Sequence, residues 1–421
     1  MNLTVDAERL RADVERNGEF GAVPTERGHA RTVLCGTDAN RRAREYLIEQ
    51  LRGADAEVTV DAVGNVAGTW CPPSADSDAA PVAVGSHLDS VPDGGIFDGP
   101  LGVYAGLEAV RTLQDADARP ERPITVVSFT EEEGSRFADG LLGSSVAVGH
   151  RSVDDALALT DADGTTLGEA LSGIGFRGEG RLDPSEWGAW FELHVEQDTV
   201  LESAAVPVGV VTTITGITHC EVRIDGEADH AGTTAMDSRT DALAAASELV
   251  LAVERAANEV TATDSASAVA TVGSLDVSPN ATNVVPGAVT VGIDVRDVRQ
   301  ASIERILDRV RETLARVERE RGVETTLERP FDLAPTGMSD RLRRAAHDAG
   351  AQAGLETTDL HSGAAHDTMH VADATDAALL FAPSRDGISH NPLEWTDWDD
   401  CAAATRVLAG AVADATGVTS V

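Results

Sequence analysis

Four apolar segments of this chain each end in acidic or imidazole side chains, a pattern that strongly limits the folds open to it. The polar residues are, in chain order, His87 with Asp98, Glu132 with Glu133, His194, and His390. His87 follows the apolar run 81–84 and the two glutamates follow the run 124–129, so each group leaves the end of a predicted strand. Open α/β sheets place their sites at the carboxyl ends of parallel strands. The pattern therefore predicts an α/β fold that gathers all four groups in one crevice.

The segment between the first two groups predicts a βαβ unit. An amphipathic helix over about 102–113 separates the two strands, which is the crossover that neighbouring parallel strands require. Upstream of it, strands at 57–60 and 65–70 are expected to pair as a hairpin around Val63 and Gly64. Together these segments predict a mostly parallel sheet that carries the catalytic residues.

The middle of the chain predicts a second, inserted domain of the α+β class. Strands are expected near 208–224, 268–277, 289–295 and 324–327, with helices near 241–258 and 302–321. This order, β-α-β-β-α-β, is typical of a ferredoxin-like unit. Because His390 lies beyond the insertion and must return to the first sheet, the catalytic domain is predicted to be discontinuous. The expected parts are 1–212 and 328–421 for the catalytic domain and 213–327 for the insertion.

The donor set predicts a metal centre. Imidazole and carboxylate ligands without thiolate suit Zn, Mn, Co or Ni. Asp98 can present both carboxylate oxygens, so it could bridge two ions. Asp89, two residues after His87, is suited to orient that imidazole, and Glu132 is suited to act as a general base. Glu131 is expected to be a solvated neighbour.

Eight short strings in this order resemble the M20 metallohydrolases, and within them the amidase branch of N-carbamoyl-L-amino-acid hydrolases, allantoate amidohydrolases and β-ureidopropionases. The strings are Gly64-Asn65, Gly85 to Gly106, Glu131 to Phe137, Glu192 to Gln197, His230 to Thr234, Asn283 to Gly287, Ser362 to Asp367, and Gly387 to Glu394. The resemblance covers nearly the whole chain. It implies a hydrolase of linear carbon–nitrogen bonds with a dinuclear metal site, and an inserted lid that also forms a homodimer.

The resemblance also implies a role for each matching residue. Asp98 would bridge the ions, His87 and His194 would complete one site, and Glu133 and His390 the other. Glu132 would be the general base.

The remaining implied roles concern the substrate. His230 would reach across the dimer to the oxyanion, and Arg296 would bind the substrate carboxylate, with Gln197 and Asn283 as hydrogen-bonding partners. In so acidic a chain Arg296 could instead be a salt bridge within the lid.

Several functions stay open for such a chain. Hydrolysis of an N-carbamoyl-L-amino acid to amino acid, ammonia and carbon dioxide is the first expectation, allantoate amidohydrolase the second, and β-ureidopropionase the third. A dipeptidase fits the strings less well. A catalytically silent binding protein would be expected to lack Glu132 or a ligand, and all of them are present.

Composition limits the partners and the surroundings. The formal net charge is −38, the chain has no lysine, and arginine supplies every fixed positive charge. Such a surface argues against nucleic acid as a partner and fits a halophilic protein that stays hydrated in concentrated salt. The four scattered cysteines are expected to be reduced thiols. The acidic amino terminus and the lack of a long apolar run predict a cytoplasmic protein without a membrane partner.

Overall fold

The computed structural model describes residues 3–138 and 140–418 and divides into two compact units. Unit 1 contains the residues up to Thr212 together with those from Met338 onward, and unit 2 is Thr213–Gly337. Each unit has a buried apolar core of its own. Unit 2 ends ten residues later than the predicted boundary at 327, because its last long strand continues to Leu333.

The described residues form seventeen strands and twelve α-helices. The strands are β1 (Ala22–Val23), β2 (Ala30–Arg31), β3 (Glu57–Val60), β4 (Val66–Trp70), β5 (Val82–His87), β6 (Ile124–Phe129), β7 (Ala189–Val195), β8 (Val208–Ile214), β9 (Gly216–Asp225), β10 (Asp229–His230), β11 (Val269–Ser278), β12 (Val284–Val285), β13 (Ala288–Asp297), β14 (Glu324–Leu333), β15 (Thr336–Gly337), β16 (Thr357–Ser362) and β17 (Ala377–Ala382). The helices are α1 (Ala7–Gly18), α2 (Asp38–Gly53), α3 (Pro100–Asp115), α4 (Leu142–Ala147), α5 (Val153–Leu157), α6 (Leu167–Ile174), α7 (Val200–Ala204), α8 (Ala242–Thr263), α9 (Gln300–Arg321), α10 (Asp340–Ala353), α11 (Thr368–Val371) and α12 (Trp398–Ala415).

The large sheet of unit 1 is mixed rather than mostly parallel. Its strands follow the order β8-β17-β7-β5-β6-β4-β3, with β16 paired to β8. The neighbours β17, β7, β5 and β6 are parallel, whereas β4 and β8 pair antiparallel to this central group. The predicted hairpin is confirmed, since β3 and β4 pair antiparallel on either side of Gly64, and this hairpin is one reason for the mixed order. The fold is thus a mixed α/β fold built around a mixed sheet.

Helix α3 lies close against the central strands because glycines replace side chains on its inner face. A Cβ at Gly102 would lie 2.2 Å from the carbonyl oxygen of Leu193 in β7, and one at Gly106 would lie 3.1 Å from the Val84 side chain in β5. The helix begins directly after Gly99, with Pro100 in its first turn. The turn that holds Asp98 is therefore fixed between a buried strand end and a closely packed helix.

Unit 2 is an α+β unit of four antiparallel strands in the order β11-β13-β9-β14. The long elements follow one another as β9-α8-β11-β13-α9-β14, so both helices connect strands of this sheet. The alternate residues of β13 are buried, and they share one apolar core with the inner faces of α8 and α9. The function of unit 2 as a lid and dimer interface stays a prediction.

Candidate metal centre

The predicted ligands lie at the carboxyl ends of neighbouring parallel strands of unit 1. His87 is the last residue of β5, His194 is the sixth residue of β7, and Glu133 follows β6 after a short turn. His390 lies in the segment between β17 and α12. Because β6, β5 and β7 are adjacent and parallel, their ends meet at one edge of the sheet. This is the crevice that the sequence pattern predicts.

Asp98 presents one oxygen to each of two groups of donor atoms. Its Oδ1 lies 3.0 Å from His194 Nε2 and 3.7 Å from His87 Nε2, and the two imidazole nitrogens are 3.5 Å apart. Its Oδ2 lies 3.3 Å from His390 Nε2, and that nitrogen lies 3.2 Å from Glu133 Oε2. The result is two triads of donor atoms that share one carboxylate.

The spacing of these atoms fits divalent ions. In a tetrahedral site with bonds of about 2.1 Å, neighbouring donor atoms lie about 3.4 Å apart. The five distances in the two triads, 3.0 to 3.7 Å, lie on either side of that value. Each triad leaves at least one coordination position for water or substrate, as catalytic sites do. Histidine nitrogen and carboxylate oxygen donors suit Zn, Mn, Co or Ni.

His87 and His194 both direct Nε2 toward Asp98. His87 Nδ1 lies 3.2 Å from the Asp89 carbonyl oxygen, and His194 Nδ1 lies 3.3 Å from the Val195 carbonyl oxygen. A Nδ1–H donated to a carbonyl leaves Nε2 unprotonated and free to coordinate. Gly99 gives His87 its space, because a Cβ there would lie 2.5 Å from the imidazole Cε1. Both the tautomer and the ring position are thus set by the backbone.

The charges of the cluster depend on one another. Burial opposes ionisation of Asp98, but the surrounding imidazoles of His194, His390 and His87 hold its pKa well below its usual range. Hydrogen bonds with Asp98 and Glu133 raise the pKa of His390 to about 11. A divalent ion bound by these donors would compete with a proton for His390 Nε2.

Glu132 and Asp89 lie beside the triads, and their contacts differ from one another. Glu132 Oε2 lies 3.5 Å from His87 Nε2, and burial raises the pKa of Glu132 well above its usual range. The Asp89 carboxylate is predicted to orient His87, but its Oδ1 is 3.7 Å from Nδ1, and the nearer partner is its backbone carbonyl. The Asp89 carboxylate accepts a hydrogen bond from the Glu133 backbone N–H instead, at 3.1 Å. Asp89 therefore supports two ligands at once.

The expectation that Glu131 is solvated is wrong. Glu131 is 1% exposed, and its Oε1 accepts the backbone N–H groups of Arg136 and Phe137 at 2.6 and 2.7 Å. Its backbone has a positive φ of 56°, which differs from an extended continuation of β6. The Glu131 carboxylate accepts hydrogen bonds from the turn that follows Glu132 and Glu133, and it is not a surface group.

Gln197, predicted to bind substrate, donates a hydrogen bond to a predicted metal ligand. Its Nε2 donates to Asp98 Oδ2 at 3.1 Å. Ser389, one residue before His390, donates to the same oxygen at 2.6 Å. Ser389 is not among the predicted site residues, although it lies inside the last of the eight strings. A role of Gln197 in substrate binding stays a prediction.

A buried polar group that the sequence pattern does not explain lies behind His194. His366 is 1% exposed, and its ring packs edge-on against the His194 ring with centroids 4.5 Å apart. Its Nε2 pairs with Ser362 Oγ at 3.0 Å. Glu192, which could join these imidazoles in a third donor group, is already bonded to Ser86 and Thr368. His366 therefore packs against a predicted ligand without belonging to either triad.

The predicted site residues of unit 2 are His230, Asn283 and Arg296, and the first two lie close together. His230 is exposed and pairs with Val284 between β10 and β12, and its Nδ1 accepts the Gly232 backbone N–H at 2.9 Å. The Asn283 carbonyl accepts the Ala231 N–H at 3.0 Å, so Asn283 lies next to His230.

Arg296 lies elsewhere in unit 2. It forms a bidentate pair with Asp294 in β13, with Nε 2.9 Å from Oδ1 and Nη2 3.0 Å from Oδ2. In this structure Arg296 therefore forms a salt bridge within unit 2, which is the alternative to substrate binding given above.

Comparison with known proteins decides the family. Residues 83–414 match the model of peptidase family M20/M25/M40. The chain belongs to this family. The M20 chain is 38% identical to the N-carbamoyl-L-amino acid amidohydrolase of Geobacillus stearothermophilus over 96% of its own length and 97% of that protein. It is 34% identical to the allantoate amidohydrolase of Bacillus subtilis over 81% and 82% of the two chains.

A solved structure agrees with these relatives. The crystal structure of an amidase of the hydantoinase/carbamoylase family from Burkholderia multivorans superimposes on this M20 chain with a TM-score of 0.90, at 36% identity and over 99% of both chains. The resemblance predicted from the eight strings is confirmed.

Two further expectations concern the surroundings of the protein. The four cysteines are free thiols, of which Cys71 is exposed and the other three are buried. Among the helices in the described part of the chain, none combines the length and the apolar character needed to cross a bilayer.

Proposed function

We propose that this M20 chain is a metal-dependent amidohydrolase that cleaves a linear carbon–nitrogen bond of a ureido acid. The proposed substrates are N-carbamoyl-L-amino acids, which give the amino acid, ammonia and carbon dioxide. The observation that carries the proposal is the sharing of Asp98 between two donor triads of metal-site dimensions. The relative named N-carbamoyl-L-amino acid amidohydrolase, alike over nearly its full length, supports the substrate class.

The proposed chemistry divides between the ions and the chain. Two divalent ions bound by the triads would polarise the ureido carbonyl and lower the pKa of water. Glu132, largely enclosed beside His87, would accept the proton of the attacking water and deliver it to the leaving nitrogen. Its raised pKa, caused first by burial, suits a group that must both take and return a proton. Asp89 and Gln197 would hold the ligands still while this happens.

Substrate recognition is proposed for the residues of unit 2. An arginine fork binds a carboxylate through two parallel hydrogen bonds, so Arg296 would bind the α-carboxylate. Its pair with Asp294 fixes the guanidinium plane before substrate arrives. His230 and Asn283, which lie together, would donate hydrogen bonds to the oxyanion and the ureido group. His230 would act from the partner in a homodimer, and a monomer in solution would contradict that role.

Allantoate is the second candidate substrate, favoured by the 34% identity to the allantoate amidohydrolase of Bacillus subtilis. Both substrates contain a carboxylate next to a ureido nitrogen, so the proposed Arg296 contact does not separate them. Allantoate differs in its second ureido group. Comparison of kcat/KM for the two compounds distinguishes the candidates.

The proposed setting is a cytoplasm rich in salt. An exposed free thiol at Cys71 is suited to a reducing compartment. The net charge of −38 is screened in concentrated salt, which lowers the self-repulsion of the folded state.

The test is ammonia release by purified protein in concentrated potassium chloride with Mn or Zn added. The substrates are N-carbamoyl-L- and D-amino acids, allantoate, β-ureidopropionate and a dipeptide, and Glu132→Gln is the control. Metal-dependent release from the L-compounds that is lost in the variant is expected. Release from none of these compounds by a folded, metal-loaded protein would overturn the proposal.

A further inference from the structure

The loop between His87 and helix α3 holds the bridging carboxylate, yet it has no regular secondary structure of its own. This segment, Leu88–Gly99, is the ligand loop. It carries Asp89 near its start and Asp98 near its end. A long irregular loop is ordinarily among the more mobile parts of a protein. Something outside the loop must therefore hold Asp98 in the position that serves both triads.

The first support is Arg31, a fully buried arginine in β2. Its Nε donates to the Gly95 carbonyl at 3.0 Å, and its Nη2 donates to the Asp89 carbonyl at 3.3 Å. Its backbone N–H also donates to the Gly94 carbonyl at 2.9 Å. One guanidinium thus joins the beginning of the ligand loop to its middle. A buried charge is costly unless neighbouring groups compensate it. Burial lowers the pKa of Arg31, and the nearby carboxylates of Glu394, Asp89 and Asp98 oppose that shift.

The second support is Glu394, which is 1% exposed and approaches the loop from the other end of the chain. Its Oε1 accepts the backbone N–H groups of Phe97 and Asp98 at 2.8 and 3.1 Å. Its Oε2 lies 3.1 Å from Ser389 Oγ, and this hydroxyl donates to Asp98 Oδ2 at 2.6 Å. Glu394 therefore holds the Asp98 backbone directly, and it lies within hydrogen-bond distance of the hydroxyl that contacts the Asp98 carboxylate.

The loop is shaped to receive Glu394. A Cβ at Gly95 would lie 2.2 Å from Glu394 Oε1, so any side chain at this position would push the carboxylate away. The segment around His29 also contacts the segment that contains Glu394. The His29 N–H donates to the Pro392 carbonyl at 2.7 Å, and the His29 ring stacks on Trp395.

We propose that Arg31 and Glu394 are positioning residues of the metal centre. They hold the ligand loop from two sides, so that Asp98 faces both triads before an ion arrives. The inference rests on the proposed dinuclear site, and it assigns two residues that never touch the ions.

The proposal predicts a specific order among variants. Glu394→Gln keeps an oxygen for the two backbone N–H groups and can donate to Ser389, so metal affinity should stay close to that of the original chain. Glu394→Ala removes these contacts and should weaken metal binding at least tenfold, the usual effect of losing an outer partner of a ligand. Arg31→Lys keeps the charge but cannot form the fork between two carbonyls, so it should also lose at least tenfold.

The experiment measures metal binding directly, with a chelator in competition, and records the absorption spectrum of the Co-loaded protein. Gly95→Ala keeps the Arg31 and Glu394 side chains but pushes the Glu394 carboxylate away, so it tests the same contact from the loop side. Glu108→Ala is the matched control, since Glu108 is a buried carboxylate on α3 that accepts the Asp6 N–H and pairs with Arg9. It should lower the melting temperature of the metal-free protein without changing metal affinity.

The outcomes are distinct. Weakened binding and an altered Co spectrum in Glu394→Ala, Arg31→Lys and Gly95→Ala, with Glu394→Gln and Glu108→Ala unchanged, are expected. Metal binding as tight as that of the original chain in Arg31→Lys and Gly95→Ala would overturn the proposal, even if Glu394→Ala did not fold. If the original chain itself failed to bind two ions, the proposed function would fail instead.

Discussion

If the proposed dinuclear site is correct, substitution of Gly99 by alanine should remove one metal ion and leave the other. Gly99 has φ 82° and ψ −62°, a conformation that side chains rarely adopt, and its absent Cβ would lie 2.5 Å from His87 Cε1. Ordinary contacts begin near 3.4 Å, so the ring must retreat by about 0.9 Å. Metal bonds tolerate errors of only about 0.2 Å. His87 should therefore cease to coordinate.

The magnitude follows from these distances. A displacement of about 1 Å at a reacting centre costs about 100-fold in rate, which corresponds to about 2.7 kcal/mol of transition-state stabilisation. Separately, the strained backbone should lower the free energy of unfolding by about 1–3 kcal/mol. We expect the bound metal to fall from two ions per chain to one, because His87 contributes a donor atom to only one of the two triads.

The assay combines metal analysis after dialysis, ammonia release and thermal unfolding. Gly354→Ala is the control, since Gly354 ends α10 with a positive φ of 70° and has no atom within 4 Å of the added Cβ. This variant should lose stability but keep both ions and full activity. Two tightly bound ions and undiminished ammonia release in Gly99→Ala would refute the reasoning.

Three further predictions concern the proposed base, a partly buried histidine and the surface charge. Glu132→Gln should lower kcat by about 100- to 10,000-fold with metal content unchanged, and a smaller loss would exclude Glu132 as the base. Burial lowers the pKa of His370 to about 4, below its unfolded value near 6.5, so the unfolded state binds more protons and stability should fall as pH drops from about 6.5 to 4. Chelated protein should show this acid loss in urea titrations, and His370→Gln should reduce it by up to about 3 kcal/mol; equal curves for the two proteins would contradict the assignment. The net charge of −38 predicts a melting temperature that rises between about 0.2 and 2 M potassium chloride, and a salt-independent value would argue against a halophilic surface.

The sequence predicts the features that depend on local pattern. The β3–β4 hairpin follows from Gly64 between two β-branched runs, and the strand ends at His87 and near Glu132 follow from apolar runs that stop at polar residues. The family strings add the order of the ligands along the chain. These signals are sufficient to predict that the candidate ligands of unit 1 lie close together.

The features that the sequence does not predict depend on contacts between distant segments. The sequence favours a surface position for Glu131, because nothing in its neighbours shows that a positive φ turns it toward the following backbone. Arg31 is a charged residue in a two-residue strand, and its partners are backbone carbonyls 58 and 64 positions away. The carboxylate of Asp89 bonds to the Glu133 N–H rather than to His87. Hydrogen bonds between distant segments leave no periodic pattern in the sequence.

The proposed hydrolysis requires two ions that share Asp98. The decisive measurement is a titration of chelated protein with Mn or Zn in concentrated potassium chloride, with bound metal and ammonia release from an N-carbamoyl-L-amino acid recorded at each step. We predict two bound ions per chain, activity that follows metal occupancy, and loss of both in Asp98→Ala. Full activity in the chelated protein, or two tightly bound ions in Asp98→Ala, would contradict this mechanism.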